Sequence, residues 1–329
     1  MKRREFIRLL GTTLGAAALP NGSIAQTPAR VYRLGLLSGG ASVADASPFG
    51  TPLIRALAQQ GYALDRNVVF ERRGAEGRLD RLPRLVEELV ASKVDVIVTL
   101  GYPPALAVKQ GTTLPAVAFA AGDPVGGGLA DSLARPGSNI TGISDVSAEL
   151  TPKRMELLKQ VAPGLRLVAM LWNTDDLGMT LRYRSSETGA KAMGINVLAV
   201  GVREPNDFGQ AFSTMDREKP DAILMVTDSL TVLNRKRVFE YAAQHRLPAI
   251  YEFDWLVRDG GLMSYAPDLD ESFGRVAALV DLVLKGSKPA DLPFEQPTRF
   301  KFAINLKVAK ALGLEVPPML LATADEVVE

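Results

Sequence analysis

The sequence contains no cysteine and only one histidine, His245, in 329 residues. The lack of cysteine excludes disulfides, thiolate metal sites, a cysteine nucleophile and a lipid-modified N-terminal cysteine. A single histidine leaves little material for a catalytic triad or a transition-metal site, and His245 ends an amphipathic helix, where a solvated position is expected. We therefore predict a protein that is not an enzyme and has no catalytic residues, metal or cofactor.

The sequence also lacks an excess of either charge and the motifs of nucleotide enzymes. Its 38 basic residues nearly balance 37 acidic ones, so nothing indicates a nucleic-acid partner. Neither G-x-G-x-x-G after a first strand nor G-x-x-x-x-G-K-[ST] is present. The glycine-rich run GDPVGGG at 122–128 follows the fourth predicted strand instead. We interpret it as one wall of a solute pocket, continuing through a short helix, LADSLA, and a crossing segment, RPGSNITG.

No apolar run reaches the roughly 18 residues that a transmembrane helix needs. The N-terminus does have the form of an export signal, because basic residues precede a short apolar stretch from Leu9 to Leu19, and Ser23 and Ala25 suit a signal peptidase. We predict a signal peptide over 1–25, removed near Ala25, and a periplasmic mature protein. RREFIR resembles the twin-arginine signal; ordinary secretion and an amphipathic first helix are the alternatives.

From Val31 onward, short apolar runs alternate with amphipathic segments, which predicts parallel strands joined by right-handed helical crossovers. The pattern restarts after Gly142, and KVDVIVTLGY from Lys93 matches KPDAILMVTD from Lys219, each followed by a helix and then LPA. The predicted fold class is therefore α/β, with two doubly wound parallel-sheet lobes.

Two further strand and helix pairs follow the second half, which a simple tandem of domains does not need. We expect them to return to the lobes after crossings at joints rich in proline and glycine, namely 135–144, 260–267 and 286–297. The predicted N-terminal lobe is 26–143 plus about 267–287, and the C-terminal lobe is 144–266 plus about 288–329.

Ligands of open parallel sheets bind beyond the carboxyl ends of the strands, where helix N-termini and loop amides converge. This rule selects the loops after the strands of both halves, and facing lobes would bring them around one cleft. Amides there can hold a carboxylate, an aspartate can pair with an ammonium, and an aromatic ring can stack on the solute. The predicted ligand-binding residues are Ser38, Gly39, Ser47, Gly101, Tyr102, Asp123, Asn173, Thr227, Asp228 and Tyr251.

Four blocks of the sequence resemble the family of ABC-transporter substrate-binding proteins that includes the tryptophan- and tyrosine-binding components. They are GDPVGGGLADSLARPGSNITGIS, KRMELLKQVAPG, PAIYEFDWLVRDGGLMSYAPD and the C-terminal DLPFEQPTRFKFAINLKVAKALGLEVPPMLLATADEVVE. The resemblance covers about residues 31–329 and implies a type I periplasmic binding fold, with three crossings between the lobes and closure over a ligand. It implies most of the same site residues, among them Asp123 and Asp228.

The sequence departs from the family in two places: Tyr102-Pro103 is larger than usual, and Tyr265-Ala266 replaces a Tyr-Gly pair. Three hypotheses stay open. The first is a monomeric receptor that carries a small solute, an amino acid or related carboxylate, to a membrane permease with its ATPase. The second is a periplasmic sensing domain for a membrane receptor, and the third is an enzyme on the same fold.

Overall fold

The computed structural model describes residues 30–329; the predicted signal peptide over 1–25 lies outside them. The first sheet has five parallel strands in the order β2-β1-β3-β4-β5. Its elements are β1 (Tyr32–Ser38), α1 (Gly50–Gln59), β2 (Val68–Gly74), a 3-10 turn (Leu79–Arg81), α2 (Leu82–Ala91), β3 (Val96–Leu100), α3 (Tyr102–Gly111), β4 (Ala116–Phe119) and β5 (Ile140–Gly142).

The second sheet has seven strands in the order β12-β11-β10-β9-β8-β6-β7. Its elements, with the helix that returns to the first sheet, are α4 (Thr151–Val161), β6 (Leu167–Asn173), α5 (Leu177–Ala192), β7 (Asn196–Val202), α6 (Asp207–Glu218), β8 (Ala222–Met225), α7 (Ser229–Leu233), α8 (Arg235–Gln244), β9 (Ala249–Tyr251), α9 (Asp254–Arg258), β10 (Met263–Pro267), α10 (Leu269–Leu284), a 3-10 turn (Pro289–Asp291), β11 (Phe300–Asn305), α11 (Leu306–Leu312), α12 (Pro318–Leu321) and β12 (Glu326–Val328). None of the helices described is long and apolar enough to span a bilayer.

Alternate side chains of the first sheet pack on opposite layers of helices. Leu36 and Val98 belong to the cluster that includes α1 and α10, whereas Leu37 and Ile97 belong to the cluster with α2 and α3. Since successive side chains of a strand point to opposite faces, strands covered on both sides must be apolar throughout. The same arrangement in the second sheet makes each lobe a three-layered unit.

The repeated segments occupy equivalent places in the two sheets. Lys93 and Lys219 both have positive φ, at 54° and 50°. Two residues later, the Asp95 and Asp221 carboxylates each accept a hydrogen bond from a backbone N–H at the start of the neighbouring strand, β1 or β6. The predicted repeat therefore extends to a turn and a carboxylate that hold the start of the neighbouring strand, β1 or β6, in place.

The chain passes between the sheets three times, after β5, after β10 and before β11. Adjacent crossings are hydrogen-bonded: Glu295 N–H donates to Gly142 O at 2.9 Å, and Asp268 N–H donates to Arg299 O at 3.0 Å. β11 runs antiparallel to β10 because the chain leaves the second sheet at the carboxyl end of β10 and re-enters it at the same end of the strands. The predicted α/β fold of two parallel-sheet lobes is confirmed apart from this reversed pair, and the predicted lobe boundaries stay a prediction.

Three local predictions were wrong. LADSLA at 129–134 forms bends instead of a helix. The N–H groups of Leu129 and Ala130 both donate to Pro124 O, and six residues after three glycines are too few to sustain a helix. The helix predicted from Thr231 is divided at Asn234 into α7 and α8. Part of RPGSNITG forms β5, at the edge of the first sheet, so the crossing begins only after Gly142.

Phe273 of α10 should be essential to the first lobe. Its ring is fully buried and stacks on Phe119 with 4.4 Å between ring centroids. We expect Phe273→Ala to lower the free energy of unfolding in urea by about 3–5 kcal/mol, because it removes an aromatic ring and leaves a cavity. Leu282→Ala on the same helix is the control, since Leu282 is 42% exposed. Equal effects of the two substitutions would contradict the expectation.

Candidate functional site

A cavity of 640 Å³ lies between the carboxyl ends of the two sheets. Its wall includes the loops after β1, β3 and β4 of the first sheet and after β8 and β9 of the second. This is the position that parallel-sheet topology favours for a ligand. Six of the predicted ligand-binding residues line it: Ser38, Ser47, Gly101, Tyr102, Thr227 and Asp228.

Two other predicted residues, Gly39 and Asn173, lie directly behind the wall of this cavity. A Cβ on Gly39 would be 2.6 Å from Ser229 Oγ, so the glycine lets the two lobes meet. The N–H group of Asn173, at the end of β6, donates to Asp228 Oδ2 at 3.0 Å. These residues shape and support the wall without lining it.

Asp123 and Tyr251 are placed elsewhere. Asp123 is exposed, and its carboxylate accepts hydrogen bonds from the N–H groups of Val125 and Gly126, which makes it a turn residue. Tyr251 is buried beside Phe239, with 5.0 Å between ring centroids, and lines a separate cavity of 200 Å³ between α8 and α11. The strand-end rule predicts only how far along a strand a ligand-binding residue lies. Tyr251 lies at the end of β9 as the rule requires, but its side chain points to the face of the sheet away from the main cavity.

Tyr102 connects the two lobes at the edge of the cavity. Its hydroxyl donates to Gly127 O at 2.6 Å in the glycine run, and burial raises its pKa, with a further contribution from the Asp176 charge. A Cβ on Gly127 would be 2.5 Å from the Tyr102 ring, and one on Gly178 of α5 would be 2.9 Å from it. The ring therefore fits only because both positions are glycine.

Aromatic rings from both lobes form the apolar part of the wall. Phe49 and Phe119 come from the first lobe, and Phe253 and Trp255 from the second. Phe49 meets Phe253 and Trp255 edge-to-face, with 6.0 Å and 6.1 Å between ring centroids. Such a wall suits a solute with an apolar or aromatic body.

A buried ion network forms another side of the wall. Arg182 of α5 binds Asp145 of the first crossing at 2.5 Å and Glu252 at 2.9 Å. Burial opposes its charge, but the two carboxylates raise the pKa of Arg182, and the arginines in turn hold the pKa of Glu252 low against its own burial. Arg154 of α4 donates to Ser147 O at 2.8 Å and to Tyr265 O at 2.9 Å, so it connects the first crossing to strand β10 of the second lobe.

Two more carboxyl groups line the cavity, and neither pairs with a lysine or arginine of the described chain. Asp176 caps α5 by accepting from Met179 N–H, and burial followed by the charge of Asp228 raises its pKa to about 7. Asp228 caps α7 through the N–H groups of Leu230 and Thr231, and burial raises its pKa to about 6. Both groups can accept a cation from a solute.

Sequence reasoning missed Asp176, Asp145 and Arg182 as well as the aromatic wall. Asp176 lies three residues beyond the end of β6, so a longer loop window would have included it. Arg182 sits inside a polar helix and Asp145 on a crossing, where no local pattern marks either. Among residues 30–329 we find no cluster of acidic and histidine side chains fit to hold a metal ion.

Two facing α/β lobes with a cavity at their strand ends define a two-lobed solute-binding protein of the type I periplasmic fold. The family model described as ABC transporter substrate binding protein matches residues 50–328, and the chain belongs to this family. A tyrosine-binding protein of Clostridioides difficile (strain R20291) is 27% identical over 263 residues, which are 80% of this chain and 75% of that protein.

Solved structures show the same architecture. An ABC domain from Streptococcus pneumonia in complex with L-Trp is 25% identical, has a TM-score of 0.80 and matches 91% of this chain and 100% of its own. A conserved domain protein from Vibrio cholerae O1 biovar eltor is 24% identical, with a TM-score of 0.84 and the same coverage.

Glu252 should be required for folding because it balances both buried arginines. We expect Glu252→Gln to lower the free energy of unfolding by about 3–5 kcal/mol, since it leaves buried guanidinium charge uncompensated. Urea denaturation measures this, with Glu240→Gln on the exposed side of α8 as the control. A loss no larger than that of the control would show that Glu252 is not needed.

Asp176 should lower the stability of the free protein at high pH. Its folded pKa of about 7 exceeds its ordinary value of 3.8, so the unfolded chain loses this proton first and stability falls as pH rises between these values. We expect Asp176→Asn, which keeps a good helix cap, to raise the midpoint of thermal unfolding at pH 8 and to leave it nearly unchanged at pH 4. A stabilisation that is equal at both pH values would contradict this.

Proposed function

We propose that the protein is the periplasmic solute-binding component of an ABC importer. It captures a small organic solute in the cavity between its lobes, namely an amino acid or a related carboxylate, and the aromatic members of this class fit the cavity wall. The observation that carries the proposal is this cavity, which has an aromatic wall from both lobes and buried polar groups from the second. The tyrosine-binding and L-Trp-bound relatives support the same class of ligand.

Capture depends on a solute that touches both lobes at once. Ser38, Ser47 and Phe49 line the cavity from the first lobe, and Asp228 and Trp255 from the second. A ligand favours the closed arrangement only by the contacts that it gains there, so residues on both sides of the cavity convert binding into closure. No catalytic step is part of this function.

The partners follow from the family. A periplasmic receptor released by removal of residues 1–25 would deliver its solute, as a monomer, to a membrane permease that is driven by an ATPase. Ser38, Gly39, Ser47, Gly101, Tyr102, Thr227 and Asp228 are the predicted ligand-binding residues at or directly behind the cavity wall, and they stay our candidates for solute contact.

Calorimetry against the common amino acids and aromatic carboxylic acids tests the proposal, together with small-angle scattering with and without each binder. Mass spectrometry of the solute released from gently denatured protein identifies what the purified chain carries. We expect micromolar or tighter binding of at least one solute and a smaller radius of gyration in its presence. Failure of every solute to bind or to close the lobes would overturn the receptor function.

Gly178→Ala tests whether contact between the lobes is required. The new methyl group would press on the Tyr102 ring, so we expect the variant to bind the identified solute at least about tenfold more weakly and to stay more open in scattering. Gly189→Ala on the same helix is the matched control, because its Cβ would lie 3.6 Å from Pro152 in ordinary contact. Alanine favours a helix, so Gly189→Ala should keep its stability. The methyl group of Gly178→Ala also lies 3.2 Å from Asp176 Oδ1, so thermal unfolding of both variants accompanies the binding measurement.

A further inference from the structure

A second cavity lies beside the second sheet, apart from the site between the lobes. It has a volume of 200 Å³ and is lined by α8, α11, the end of β9 and the turn before β10. None of the residues that line it also lines the main cavity. A molecule bound there would therefore not compete directly with the solute of the main cavity.

The size and lining of this second cavity suit one apolar ring. An engineered apolar cavity of about 150 Å³ holds benzene. A cavity of 200 Å³ therefore has room for a six-membered ring with a short side chain. Most of the wall is apolar, with Phe239 and Ala242 from α8 and Val308 and Leu312 from α11. The body of a ligand in this cavity must consequently be apolar.

Two of the side chains that line the second cavity carry a polar group, and both can donate a hydrogen bond. One is the hydroxyl of Tyr251, and the other is the ammonium of Lys307 in the first turn of α11. No acidic side chain belongs to this wall as the structure describes it. The side chains of the wall therefore favour a ligand with an acceptor or a negative charge and offer nothing to a cation.

The Tyr251 hydroxyl has no partner inside the protein. The residue is 1% exposed, and its hydroxyl makes no hydrogen bond to any of residues 30–329. Burial raises the pKa of this hydroxyl, so it stays protonated and can donate. Its ring contacts Phe239, and Gly261 leaves room for it, because a Cβ there would lie 2.7 Å from Tyr251 Cε2. Phenylalanine would pack equally well without a buried unpaired hydroxyl, so packing alone does not explain a tyrosine here.

Lys307 supplies the positive charge of this wall. It is exposed and forms no ion pair with the residues that the structure describes. Its long side chain can bring the ammonium to a carboxylate on a ligand without breaking an existing contact. Solvent screens an exposed ion pair, so the charge should strengthen binding by no more than about fivefold.

We propose that this cavity is a second ligand site, which binds a small monocarboxylate with a single apolar ring. The ring fills the space between α8 and α11, and the carboxylate accepts hydrogen bonds from the Tyr251 hydroxyl and the Lys307 ammonium. The acceptor thereby satisfies the buried hydroxyl that the protein leaves unpaired. The site is separate from the proposed importer function, since no residue of the main cavity takes part in it.

Phenylacetate is a suitable probe, with phenylacetamide and phenethylamine as its neutral and cationic counterparts. In methyl NMR spectra of the whole protein, Leu247, Val308 and Leu312 report on the second cavity, and Val43 and Val232 report on the main one. We expect phenylacetate to shift the first group with a Kd on the order of 0.1–1 mM. The amide should bind at least about threefold more weakly and the amine at least about tenfold more weakly. Shifts confined to the main cavity, or equal affinities of the three probes, would overturn the proposal.

Two substitutions test the groups that recognise the carboxylate. Lys307→Gln should make the affinities for phenylacetate and phenylacetamide equal, whereas Lys310→Gln, at an exposed lysine of α11 outside the wall, should keep the difference. Tyr251→Phe should weaken phenylacetate binding at least about threefold and should not lower the midpoint of thermal unfolding, because its hydroxyl has no protein partner to lose. An unchanged preference in Lys307→Gln, or unchanged affinity in Tyr251→Phe, would overturn carboxylate recognition at this site.

Ala243→Leu tests the location of the site. Ala243 is an exposed residue of α8 that lines the second cavity, so a larger side chain there narrows the cavity without disturbing the core. We expect phenylacetate to bind at least about tenfold more weakly. Gln244→Leu, at the next exposed position and outside the wall, is the control. Equal affinities of the two variants would overturn the proposal, and solute binding in the main cavity, measured on the same proteins, tests the importer function separately.

Discussion

The pairing of Arg182 with Asp145 and Glu252 is the interaction on which the rest of the site depends. Asp145 belongs to the first crossing and Glu252 follows β9, so one guanidinium fixes the crossing against the end of the second sheet. Ion pairs removed from water gain little net stability, because desolvation offsets their attraction. The main effect of these ion pairs is geometric, because they fix the positions of Asp145 and Arg182 in the cavity wall.

The same burial has opposite consequences for the carboxyl groups next to this network. Glu252 has two arginines within reach and stays ionised, whereas burial dominates at Asp176 and Asp228, which form no ion pair in the described chain and hold their protons more tightly. The two arginines and two carboxylates of the network balance each other's charge without a solute. The cavity wall beside it also contains Asp176 and Asp228, which form no ion pair in the described chain.

The sequence was sufficient to predict the fold because its signals are local: strand periodicity, helix amphipathicity and a repeated strand with its turn. It located the rims of the cavity through the strand-end rule, and Thr227 and Asp228 follow β8 as that rule requires. The same rule selected Asp123, which does not line the cavity. Only the turn geometry shows that its carboxylate accepts hydrogen bonds from backbone N–H groups. Arg182 and Asp145 could not be found locally, because they meet only after the chain has crossed between lobes.

The glycine run at 122–128 shows how one feature can look like a phosphate loop and do something else. Its Gly127 carbonyl accepts the hydroxyl of Tyr102, and the missing side chain leaves room for the ring. The other side of that ring rests on Gly178, next to the cap of α5 that Asp176 provides. The contact between the lobes and the buried carboxyl group of Asp176 therefore lie within three residues of each other, so a change at one of these positions acts on both.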